Sequence, residues 1–147
     1  MKYLIFLILT ASFSSFADQR KHYAIDATPN SLEEKGFFFS DYEFDPGSES
    51  FGSYFTVVYP TTFENDSKLT SVHLHIHEGK KELFYTELSI DNFDYIQKPD
   101  NYLSSDFRYF DNPNIKISLV IQYESKSVSE VYTLYLPDIR RLNTKAH

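Results

Sequence analysis

The sequence predicts an all-β fold, an antiparallel β-sandwich of about seven strands. Three observations carry this expectation. Short runs alternate apolar and polar residues, turn clusters separate them at close spacing, and the 147 residues include 14 Phe and 12 Tyr but no Trp. Phe and Tyr fit a pleated, half-buried surface. Many short strands with turn signals between them are the pattern of a sandwich or small barrel.

Each expected element has its own signal. Residues 18–36 are polar and read as an N-terminal extension containing the turn cluster Thr28-Pro29-Asn30-Ser31. Ser31 followed by Glu34 forms a capping box that predicts one short helical turn ended by Gly36. The β-sandwich domain is expected over residues 37–147. Phe37 to Phe44 opens it, with Phe38, Ser40, Tyr42 and Phe44 assigned to one face. Phe51 to Tyr59 follows, with Phe51, Phe55, Val57 and Tyr59 together, and Pro60 stops it. Leu69 to His77 and Glu82 to Ile90 flank the turn Glu78-Gly79-Lys80-Lys81. Asp106 to Phe110 is short. Ile115 to Tyr123 alternates most cleanly, and Glu130 to Leu136 is expected to pair with it.

The register of the central hairpin follows from its apolar face. A three-residue loop, Gly79-Lys80-Lys81, sets Ile76 opposite Phe84, Leu74 opposite Thr86 and Val72 opposite Leu88. A one-residue slip would set Val72 opposite Glu87, which a buried face disfavours. The same register sets His73 opposite Glu87, His75 opposite Tyr85 and His77 opposite Leu83.

The N-terminus has the signature of a secretory signal peptide over residues 1–17. Lys2 supplies the positive charge, Leu4 to Leu9 the apolar run, and Ser15-Phe16-Ala17 the small residues for cleavage after Ala17. The apolar run is short for a bilayer span, so no stable membrane insertion is expected. The expected location is periplasmic or secreted. The chain has no Cys, which excludes disulfides, thiolate metal sites and Cys nucleophiles.

Formal net charge is −7. Removing residues 1–17 removes one base and no acid, giving −8. Between Asp26 and Asp66 there are nine acids and one base. That balance argues against nucleic acid as a partner and leaves another protein as the expected one.

His73-Leu74-His75-Ile76-His77 is the most specific chemical pattern. Alternation puts the three His on one strand face. His-x-His is a pairing used for zinc or copper. His73 and His77 lie about 13 Å apart along a straight strand at about 3.3 Å per residue, too far to share one ion. No further ligand is expected beside His75 and His77 on the hairpin, so completion would need a distant segment such as the His22 region or the His147 tail. The expectation is therefore no cofactor, with zinc or copper at most adventitious at His73, His75 or His77. Asp41-x-Glu43-x-Asp45 resembles the start of a calcium loop, but Pro46 and Gly52 stand where such a loop needs Gly and Glu. Asn65-Asp66-Ser67 fits a glycosylation sequon.

No Gly-x-Ser-x-Gly elbow and no Gly-rich phosphate loop is present. In general look this array of strands is similar to immunoglobulin-like sandwich modules of bacterial envelope proteins, a resemblance of architecture only, which implies an immunoglobulin-like antiparallel β-sandwich. The first expectation is a non-enzymatic binding or assembly module of the bacterial cell envelope that recognises a protein. The alternatives are a periplasmic metal-handling protein using the His73/His75/His77 strand, and a small carbohydrate-binding protein or hydrolase. A flat apolar patch would favour the first, a converging His/carboxylate cluster the second, and a deep polar cleft the third.

Overall fold

The computed structural model describes residues 19–42, 53–63, 66–93, 96–109 and 114–136. The expected signal peptide, Glu43 and Asp45 of the acidic run, Phe44 and Phe51 of the first two expected strands, Asn65 of the sequon and the tail to His147 lie outside these residues. Among the described residues there are eight strands and one short helix: β1 (Gln19–Asp26), α1 (Pro29–Glu33), β2 (Phe38–Tyr42), β3 (Ser53–Pro60), β4 (Lys68–Glu78), β5 (Lys81–Glu87), β6 (Tyr102–Tyr109), β7 (Ile115–Glu124) and β8 (Val128–Leu136). They form a five-stranded sheet of order β1-β8-β7-β4-β5 and a three-stranded sheet of order β2-β3-β6. The all-β expectation holds, with β1 additional to the expected strands.

Period-two alternation builds the core. From the larger sheet, Val72 and Leu74 of β4, Ile117, Leu119, Ile121 and Tyr123 of β7, and Tyr132, Leu134 and Leu136 of β8 are buried. From the smaller sheet come Phe39, Phe55, Val57, Tyr59 and Phe107. Each fully buried Leu or Phe side chain contributes about 1.5–3 kcal/mol. Phe63 joins the aromatic cluster, edge-on to Tyr123 at 4.6 Å and stacked on Tyr132 at 4.9 Å.

Buried phenols anchor the joins between strands. Tyr123 donates to the Pro60 carbonyl at 2.8 Å. Ser105 Oγ donates to the Ser89 carbonyl at 2.6 Å, so the Tyr59 hydroxyl donates to Ser105 Oγ, also at 2.6 Å. Burial pushes both phenols far above their ordinary range and keeps them neutral. After β5 the chain changes sheets. Leu88 N–H still donates to the Val72 carbonyl at 2.8 Å, while Asp91 and Ser104 exchange two backbone hydrogen bonds of 2.9 Å beside β6.

Several local expectations are corrected. Residues 19–26 form an edge strand, and β1 pairs with β8 in parallel, so the larger sheet is not wholly antiparallel. Only Ile25 is buried on β1, with Tyr23 partly buried, which is why its alternation is weak. The helix starts earlier than the Ser31 cap implied. Thr28 is the N-cap, its Oγ1 accepting from Ser31 N–H at 3.1 Å, while Ser31 Oγ accepts from Thr28 N–H at 2.9 Å. Gly36 does end the turn, at φ 72°, and a Cβ there would meet the Tyr102 hydroxyl at 3.1 Å. On β2 the buried side is that of Phe39, continuous with Phe37, and not that of Phe38 and Ser40. Three consecutive Phe residues permit either assignment, and packing of Phe39 edge-on against Phe107 decides it.

Candidate functional site

The chemically distinctive surface is the outer face of the β4–β5 hairpin. Val72, Leu74 and Ile76 point to the core, so His73, His75 and His77 point away from it, each only partly exposed. β5 is one of the two edge strands of its sheet. Its pairing with β4 begins as expected: His73 opposite Glu87, Leu74 opposite Thr86, His75 opposite Tyr85 and Ile76 opposite Phe84.

The turn end departs from that register. Glu78 pairs with Lys81, which leaves a two-residue turn, Gly79-Lys80. Gly79 has φ 59°, and among the described residues Asp66 is the only non-glycine with positive φ. Glycine alone at positive φ in the first central position is the pattern of a type II′ turn, whose twist matches that of paired strands. Two-residue and three-residue loops differ by one residue, and Leu83 absorbs the difference as a β-bulge. His77 therefore faces Glu82 rather than only Leu83.

The bulge overturns the expectation that no further ligand lies beside His75 and His77. Glu82 Oε2 is 3.0 Å from His75 Nδ1. The His75 and His77 rings are parallel to within 1°, with centroids 6.0 Å apart. One ligand atom from each of His75, His77 and Glu82 lies within 4.8 Å of the others.

His73 is occupied differently. Its Nδ1 meets the Tyr85 hydroxyl at 2.7 Å, and the two rings stack at 5.2 Å. Tyr85 also stands edge-on to His75 at 4.6 Å. His73 and Glu87 are opposite one another as expected, but the close imidazole–carboxylate contact falls between His75 and Glu82. The structure thus brings together two of the three expected histidines and adds a carboxylate that face patterning alone does not place there.

The same hairpin exposes apolar surface. Leu83, Phe84 and Tyr85 are 44%, 51% and 52% exposed. Elsewhere a concavity of about 530 Å³ lies among Asp66, Lys68 and the turn residues Glu124, Ser125, Lys126 and Ser127. Of its lining side chains, Ser125 Oγ is engaged with the Val128 backbone. No protein-family model, curated protein or solved structure matches this chain.

Proposed function

We propose that this chain is an exported, non-enzymatic binding module of the bacterial cell envelope, an immunoglobulin-like sandwich that engages a protein partner through its β4–β5 hairpin. The observation that carries the reading is the run Leu83-Phe84-Tyr85, three consecutive large apolar side chains about half exposed on an edge strand. Interface centres are enriched in aromatic anchors inside a polar rim, and Lys81, Glu82 and Glu87 supply such a rim here. The bulge at Leu83 makes the ladder edge irregular, which disfavours indiscriminate strand pairing and leaves the side chains as the contacts.

Other features support the setting. Lys2, the apolar run Leu4 to Leu9 and Ser15-Phe16-Ala17 support export. Among the described residues no helix is long and apolar enough to cross a membrane. The acidic balance supports a partner other than nucleic acid.

A photo-cross-linking residue placed at Leu83 in the producing cell tests the reading, with Tyr135, exposed on β8, as the control position. The expected result is one discrete protein adduct from position 83 that is lost when Phe84→Lys is added. No adduct at 83, or equal adducts at both positions, contradicts it.

A further inference from the structure

We infer that His75, His77 and Glu82 form a binding site for a borderline divalent transition-metal ion, with zinc the representative ion and one coordination position open to solvent. This does not depend on the partner-docking reading, because different atoms carry it.

Four observations lead to the site. First, the three ligand atoms already lie within 4.8 Å of one another. Four-coordinate zinc with bonds of about 2.0–2.2 Å sets its ligand atoms about 3.3 Å apart. The His75–Glu82 contact of 3.0 Å is close to that spacing, and the whole set has to close only from within 4.8 Å. Second, alternation puts His75 and His77 on one strand face, with ring centroids 6.0 Å apart. Third, Glu82 is there because of a defect in regular pairing. Bulges re-aim side chains near functional sites. Without the bulge, the expected register would set Leu83 alone opposite His77. Fourth, Tyr85 stands edge-on to His75 while its hydroxyl engages His73, which restricts the His75 ring before any ion arrives.

The donor set selects the ion class. Two imidazoles and one carboxylate suit zinc and its neighbours, whereas calcium and magnesium prefer all-oxygen shells. Without thiolate or thioether donors the set does not favour copper(I). Two His and one Glu with a fourth position open is a set that zinc accepts. His73 is not a ligand: its Nδ1 is taken by Tyr85, and its strand position is about 13 Å from His77 at about 3.3 Å per residue.

The test is calorimetric titration of the tag-free mature protein with zinc chloride. One saturable site per chain is expected. Glu82→Gln weakens it by at least about tenfold, His75→Ala abolishes it, and His73→Ala leaves it within about twofold of the parent. Circular dichroism confirms that each variant keeps its strand signal, and His77→Gln replaces any variant that does not. Wild-type affinity in Glu82→Gln would show that the bulge-placed carboxylate is not a ligand and overturn the site. So would loss of binding in His73→Ala with its strand signal intact, or no saturable binding to the parent protein.

Discussion

Glu82 Oε2 lies 3.0 Å from His75 Nδ1 across the β4–β5 hairpin, although a regular continuation of the pairing around Leu74 and Thr86 would carry Glu82 past His77 to face Glu78. The contact exists because two local demands disagree by one residue. The apolar face fixes one register, the glycine turn fixes another, and the bulge at Leu83 satisfies both. An exposed pair of this kind is worth at most about 1 kcal/mol, so its importance lies in position rather than stability.

Zinc raises the stability of the fold by mass action. At about 100 times its dissociation constant it adds about 2.7 kcal/mol. Thermal unfolding is expected to shift upward with zinc and return on adding a chelator. An unchanged midpoint at saturating zinc would show that the folded state does not hold the ion preferentially.

Gly79→Ala tests the turn. Its φ of 59° is costly for a residue with a Cβ, although no atom would clash within 4 Å. The expected loss is about 1–2 kcal/mol, measured by urea unfolding, with weaker zinc binding because Glu82 depends on that turn. Unchanged stability would place the strain elsewhere.

Tyr123→Phe removes the buried hydroxyl that donates to the Pro60 carbonyl. Leaving that acceptor unsatisfied costs about 1–3 kcal/mol. Denaturant unfolding checks this, and a neutral substitution would show that the hydrogen bond contributes nothing net.

Alkaline stability follows from the buried phenols. Burial raises the pKa values of Tyr59 and Tyr123 in the folded state, so the folded form holds protons that the unfolded form loses above about pH 10. Their stabilisation is complete below that pH and falls as pH rises, by about 1.4 kcal/mol per unit for each group. Tyrosinate absorbance of these two residues is expected to appear together with loss of the strand signal. Full titration of all Tyr in a folded protein would contradict the burial.

Much of the fold was legible because the core strands obey period two. Phe55, Val57 and Tyr59, and the alternating positions of β7 and β8, are buried as their spacing implies. The missed β1 offers only Tyr23 and Ile25 inward and pairs with β8, more than a hundred residues away, a relation that no local pattern reports. β6 was only half legible because its core side includes Ser105 rather than an apolar residue. The site divides in the same way. Alternation shows that His75 and His77 share a face, whereas Glu82 joins them only through a one-residue compromise between turn and sheet.

The most direct measurement is a zinc-loaded crystal with anomalous scattering recorded at the zinc edge. One peak is expected, about 2.0–2.2 Å from a ring nitrogen of His75, a ring nitrogen of His77 and a carboxylate oxygen of Glu82. A peak that includes His73, a peak that leaves Glu82 outside bonding distance, or no peak on this hairpin would contradict it.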